Sequence, residues 1–289
     1  MLRIFLDRHV DLSVPGCVQR TGTKYQHASP KKPQHSPYQA QPIQYGTKVQ
    51  QPVKSDTSDP LSDEKIKRVQ EIVGNFVWYS RACDPALAAS LSAIASHLTK
   101  GIEDVMTACH QLLDYLATQP DAAIRYHASD MILDFDTEAS YLSELDGKIC
   151  AAAYYYMTNK GQKDFNNGAI DVLSKIIKHV MSSDSEAETR ALYYGRKSAI
   201  LYRVTLQETG HPQSEPTPFT TNSSSAHGLT MGTMTSKASK SNDMRFQWLK
   251  CLKSQRMFAF IWERGLKNRV NYPIKHHHRP HHLHVRKIM

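Results

Sequence analysis

The feature that most limits what this chain can fold into is a change of hydrophobic period at Pro120. Before it, apolar residues recur every three or four positions, as on one face of a helix; after it they alternate or form short blocks, as in strands. Ser62 caps a predicted helix with Asp63 and Glu64 in its first turn and Ile66, Val69, Val73, Phe76 and Val77 on one face. Asp84-Pro85 reads as a second start, a capping residue followed by proline at the first helical position. Its stripe is Leu87, Leu91, Ile94 and Leu98, and a third stripe, Ile102, Val105, Cys109, Leu112 and Leu116, runs up to Pro120. Residues 61–121 therefore form a small helical subdomain.

Beyond Pro120, Ile124–Tyr126 and Met131–Asp136 read as short strands, followed by Lys148–Met157 and Ala169–Val180. Gly147, Lys160-Gly161 and Asn166-Asn167-Gly168 supply turns between them, which predicts an antiparallel meander of three strands. Alternation sends Tyr154 and Tyr156 to one side and Tyr155 to the other, and packing in a core is the expected role of all three. Ser183 then opens a helix, with Glu186 completing a capping box and Ala187, Ala191, Tyr194 and Leu201 sharing a face that Ser198 interrupts. Phe219–Thr221 reads as a strand, Asp243–Gln255 as a helix and Met257–Trp262 as a final strand. The fold class is α+β, a mixed sheet with flanking helices over residues 122–272.

The two ends differ in texture. Residues 1–60 hold seven of the fourteen prolines among Gln, His, Lys and Ser, and are expected to be a disordered or extended lead-in with a short strand near Leu2–Leu6. Residues 273–289 carry His276, His277, His278, His281, His282 and His284 with Arg279, Arg286 and Lys287. Imidazoles suit zinc or nickel. No Cys or carboxylate accompanies them, so a flexible basic tail able to hold a phosphate backbone is the reading adopted. The formal charge of +9 favours polyanionic partners. The five cysteines are far apart and form no CxxC pair, as in reduced thiols. No apolar run is long enough to cross a membrane, and the expected location is intracellular, cytoplasmic or nuclear.

Ile72-Val-Gly-Asn-Phe-Val-Trp-Tyr79 with Arg81-Ala-Cys-Asp-Pro85 is similar to the "VGSLxYL…RPDI" segment that links reverse transcriptase to ribonuclease H in the C-terminal region of copia-type LTR-retrotransposon polyproteins. Leu112-Leu-Asp-Tyr-Leu-Ala-Thr118 loosely matches the "LRYLKGT" run. Asp136-Thr-Glu-Ala-Ser-Tyr141 resembles the "SDADWA" box, and Ser183-Asp-Ser-Glu-Ala-Glu-Thr-Arg-Ala-Leu192 resembles "SSAEAEYRAL". Thr221-Asn-Ser-Ser-Ser-Ala226 looks like "CDNxSA", Lys240-Ser-Asn-Asp-Met-Arg-Phe246 like "KHIDIRYH", and Asn271-Tyr-Pro-Ile-Lys275 stands where such elements carry "ADxxTK". Each box is short; their shared order and spacing carry the resemblance. No polymerase core and no paired-aspartate "YxDD" box is present, so polymerisation is excluded.

The resemblance implies a ribonuclease H-like domain, which cleaves the RNA strand of an RNA–DNA hybrid with two Mg²⁺ (or Mn²⁺) ions held by four carboxylates. Carried over position by position, Glu138 takes the first-strand place, where the family has Asp, and Glu188 matches in the helix. Asn222 stands at the fourth-strand Asp, and Asp243 matches the last position. Glu138, Glu188 and Asp243 are thus the implied metal ligands and Asn222 is a degenerate one. A Glu for Asp moves the carboxylate by about an Å, which octahedral magnesium tolerates poorly, and Asn removes a charge. The implied enzyme is impaired. Asp134, Asp136 and Glu138 alternate on one strand face, so Asp136 is a possible substitute ligand. Two alternatives follow: an active ribonuclease H with a ligand set shifted to Asp136, and a non-catalytic module binding nucleic acid or a protein partner.

Overall fold

The computed structural model describes residues 1–4, 8–39, 58–99, 101–140, 149–161, 167–177, 181, 183–213, 220–221, 240–259, 261–262, 269–274 and 279–286. The expected turns at Gly147 and Asn166 and the Asn222 position lie outside the described residues, as do His276, His277 and His278. The chain divides into two compact units, one built from Met1–Tyr126 with Lys275–Met289, the other from His127–Leu142 with Lys148–Ile274.

The first unit is helical with a small sheet. Helix α2 (Asp63–Ala82) starts where Ser62 accepts from the Lys65 backbone N–H at 3.4 Å, and its stripe Val69, Ile72, Val73, Phe76 and Tyr79 is buried. Helix α3 (Ala88–Ala95) follows a 3₁₀ turn at Pro85–Leu87, and α4 (Glu103–Thr118) buries Val105, Cys109, Leu112 and Leu116. Together these side chains form one apolar core.

Two expectations are corrected in this unit. The short strand expected near Leu2–Leu6 appears as β1 (Leu2–Ile4), but the segment after it is structured too: β1 pairs antiparallel with β2 (His9–Ser13), and α1 (Cys17–Lys24) follows. Strand β3 (Ala123–His127) joins this sheet beside β2. Val18 and Tyr25 enter the α2–α4 core, and Asn75 donates to the Tyr25 hydroxyl at 2.6 Å. A few well-spaced apolar residues suffice because the helices supply a surface to cover, a contribution invisible in local composition. The expected flexible His-rich tail likewise contains a helix, Arg279–Arg286, with His282 fully buried between the rings of Tyr38 and Tyr115. Asp84-Pro85 opens the 3₁₀ turn that leads into α3, as expected, with Asp84 at its N-cap position. Its buried carboxylate accepts from Arg286 at 3.0 and 3.2 Å, and Arg286 also meets the Tyr115 hydroxyl.

The second unit is a five-stranded mixed sheet with helices on it. Strands β4 (Ile132–Ser140), β5 (Ile149–Thr158) and β6 (Ala169–Ile177) form the expected antiparallel meander. After helix α5 (Asp184–Glu208) the chain returns as β7 (Thr220–Thr221), parallel to β4, then passes through α6 (Lys240–Ser254) to β8 (Ile261–Trp262), parallel to β7. The strand order is β6-β5-β4-β7-β8, so β4 lies at the centre. The α+β class with a mixed sheet and flanking helices holds.

Two packings set the faces of β4. On one, Phe135 stacks on Tyr155 with ring centroids 5.5 Å apart, and Leu192, Ala199 and Leu206 of α5 meet Phe246, Leu249 and Leu252 of α6. Gly195 is what lets α5 approach: a Cβ there would stand 2.5 Å from Thr137 Cγ2. The Tyr155 hydroxyl also donates to the Gly195 carbonyl at 2.8 Å. The other face belongs to Asp134, Asp136, Glu138, Tyr154 and Tyr156.

Candidate active site

Strand pairing puts Tyr156 opposite Asp134, Tyr154 opposite Asp136 and Ala152 opposite Glu138. Residues facing each other across an antiparallel pair share a sheet face, so two tyrosine rings line the row of acids. Asp134 and Asp136 are buried, and Glu138, nearer the end of the strand, is half-buried. Asp136 is also the Cα partner of Thr220 across the parallel ladder, which places it mid-sheet.

A buried carboxylate mid-sheet needs a cation or hydrogen bonds to offset its lost hydration. Arg269 supplies the charge: its Nη1 is 3.6 Å from Asp136 Oδ2, and its guanidinium carbon is 4.2 Å from the centre of the Tyr156 ring. Burial works against the arginine's charge, but the fields of Tyr156, Asp136 and Tyr154 outweigh it and hold the guanidinium protonated. Burial, reinforced by Asp136 and Asp134, raises the Tyr156 phenol well above its usual range. That ring is therefore a neutral platform at all physiological pH.

Glu188 sits in the second turn of α5, behind the Ser183 cap, which accepts from the Glu186 backbone N–H at 3.2 Å. It is buried at 2% exposure, and its neighbours Ala187 and Ala191 pack with Ala139, Ile149 and Ala151. α5 thus covers the Phe135–Thr137–Ala139 face, while Glu138 leaves the strand on the other. Asp243 lies within α6, whose described apolar residues pack with α5, and its side chain is outside the described residues. The resemblance put Asp243 on the last helix of the domain, and among the described residues α6 is the last α-helix of this unit, followed by β8 and the 3₁₀ turn Arg269–Ile274. The described ladder stops at Thr221, one residue before Asn222.

The structure therefore brings Asp134, Asp136 and Glu138 to one face and supports Glu188 on the helix over the other. Among the described residues no three His, Cys, Asp or Glu side chains group closely enough to hold a metal ion. The donor chemistry of Glu138, Glu188 and Asp243 is the hard-oxygen type that magnesium takes, but the described donors do not make a magnesium site, and Asp136 faces a guanidinium. Sequence reading passed over Arg269. It stands ahead of alternating Val270, Tyr272 and Ile274, all three buried, but Arg264, Lys267 and Lys275 close by leave it without a distinguishing signal.

No protein-family model matches the chain. Over 178 residues it is 26% identical to the retrovirus-related Pol polyprotein from transposon TNT 1-94 of Nicotiana tabacum. The chain is similar to part of a retrotransposon polyprotein. The match takes in 62% of this chain and only 13% of that polyprotein's length. Among solved structures, an LC11 ribonuclease H1 isolated from compost is 13% identical, with a TM-score of 0.37, covering 50% of this chain and 92% of its own. The same enzyme in complex with an RNA/DNA hybrid is 15% identical, with a TM-score of 0.33 over 47% of this chain and 88% of its own. A protease–reverse transcriptase of prototype foamy virus is 14% identical, with a TM-score of 0.30, covering 73% of this chain and 26% of its own. Among the described residues no helix is long and apolar enough to cross a membrane.

Proposed function

We propose that the chain derives from the C-terminal region of a copia-type retrotransposon polyprotein, and that its second unit is a ribonuclease H-like domain impaired in catalysis. On this reading residues 1–60 are the remnant end of a reverse transcriptase, residues 61–121 the connection and residues 122–272 the nuclease-like domain. Glu138, Glu188 and Asp243 are the retained acids, and Asn222 is the lost one. The observation that carries the reading is the Arg269–Asp136 ion pair. It occupies Asp136, the acid that the shifted-ligand alternative calls on, and so argues against that alternative. Nucleic acid, an RNA–DNA hybrid by family, is the partner this reading implies, and the net charge of +9 suits it.

An Asn at one of four ligand positions removes a unit of charge where charge does the binding. The test is a pair of reversions, Glu138→Asp with Asn222→Asp, measured for divalent-metal affinity and for hybrid cleavage. Both should rise in the double variant. If neither changes, the positional assignment of those two residues is wrong.

A further inference from the structure

The acid row on β4 raises a question of charge balance that the proposed function does not answer. Asp134, Asp136 and Glu138 are spaced by two residues on one face, about 7 Å apart along the strand. Two of them are buried at 5% and 3% exposure, where like charges repel through a poorly screening medium. A metal-dependent nuclease meets that repulsion with divalent ions. Here an arginine stands at the central acid.

We infer that Arg269 is a built-in cation that replaces a divalent metal at the acid face of β4, so that this unit folds and stays folded without one.

Arg269 is not a surface side chain that happens to reach an acid. It opens a 3₁₀ turn whose Val270, Tyr272 and Ile274 are buried at 0%, 2% and 0% exposure. The turn is tied to β6 as well, because the Ser174 hydroxyl donates to the Pro273 carbonyl at 3.0 Å. The guanidinium is held between the Tyr156 ring at 4.2 Å and the Asp136 carboxylate at 3.6 Å, with its side chain 16% exposed. A planar, permanently charged group that stacks on an aromatic face and pairs with a carboxylate suits that slot better than a lysine would. A divalent ion seeking Asp136 would have to displace a side chain anchored by three buried neighbours. The inference rests on the proposed ribonuclease H-like ancestry for its contrast with metal-holding relatives, but its test needs no nucleic acid and no cleavage.

The full chain is melted with and without Mn²⁺, and Mn²⁺ binding is read in parallel from the loss of free-ion paramagnetic signal. The wild-type chain should melt at the same temperature with and without millimolar Mn²⁺. Arg269→Gln should melt roughly 5–10 °C lower, the scale expected for breaking a largely buried pair. Mn²⁺ should restore part of that loss saturably, and Asp136→Asn should abolish the restoration. If Arg269→Gln does not fold alone, the double variant Arg269→Gln/Asp136→Asn, which removes both charges, should fold better than the single one. Saturable Mn²⁺ binding by the wild-type chain that Asp136→Asn abolishes would overturn the inference. So would an Arg269→Gln chain that melts like wild type, or a double variant no better folded than the single. Failure of the ancestry itself would show only in the cleavage and reversion assays, so the two are separable.

Discussion

Replacing Gly195 with alanine tests the packing that carries Glu188 over β4. The added Cβ would lie 2.5 Å from Thr137 Cγ2, about 1 Å inside ordinary contact, and 3.5 Å from Ala153 Cβ. Thr137 is fully buried and β-branched, so its methyl cannot swing aside without an unfavourable rotamer. Overpacking of this kind costs about 1–3 kcal/mol. Against it stands the helix preference of alanine over glycine, about 1 kcal/mol. The net loss is then about 1 kcal/mol, and about twice that if α5 must lift and stretch the 2.8 Å bond from the Tyr155 hydroxyl. The assay is urea unfolding of Gly195→Ala, Thr137→Ser and the double variant. Thr137→Ser removes the clashing methyl, so the double variant should be at least about 1 kcal/mol more stable than the sum of the single effects predicts. Strict additivity, or a Gly195→Ala chain more stable than wild type, would refute the placement of α5 on β4.

Other predictions concern the first unit. Burial, with Arg286 and His35 adding to it, lowers the His282 pKa to about 3. The unfolded chain binds a proton near pH 6.5 that the folded chain excludes, so this residue's contribution is full above about pH 6.5 and falls as pH drops toward 3. At pH 5 the loss is about 2 kcal/mol, read as the difference between wild type and His282→Phe in unfolding experiments at the two ends. A difference independent of pH would contradict it. Asp84→Ala strands the Arg286 charge in a buried site and should cost about 3–5 kcal/mol by the same assay, with Asp84→Ala/Arg286→Leu recovering part of the loss. Burial raises the Cys83 and Cys109 thiols to about 11 and about 12, so alkylation of the native chain at neutral pH should mark exposed Cys251 first. Peptide mass spectrometry showing early labelling of Cys83 or Cys109 would count against their burial.

The parts of the fold that were legible in the sequence are those whose signal is local. The α2 and α4 stripes, the Ser62 and Ser183 caps and the alternation that separates Tyr155 from Tyr154 and Tyr156 all appear in the structure as read. Each depends on spacing within one element and on burial of one face. What escaped depends on partners far away in sequence. Asp84-Pro85 opens a helical turn as read, but the pairing of its carboxylate with Arg286, 202 residues on, has no local sign. Val18 and Tyr25 lie in the segment expected to be disordered or extended, because the α2–α4 surface that they cover is not encoded near them. The acid row on β4 could be written down from alternation alone. Its counter-ion could not, since Arg269 reaches Asp136 only once β7, α6 and β8 have brought the chain back to the sheet.

The most direct test of the account is cleavage of an RNA–DNA hybrid by the full chain in Mg²⁺ and in the more permissive Mn²⁺, beside Glu188→Ala. The account predicts turnover at the background level in both metals, and no further loss on removing Glu188. Cleavage by the wild-type chain that Glu188→Ala abolishes would contradict it, because it would mean that the retained acids still assemble a working metal site.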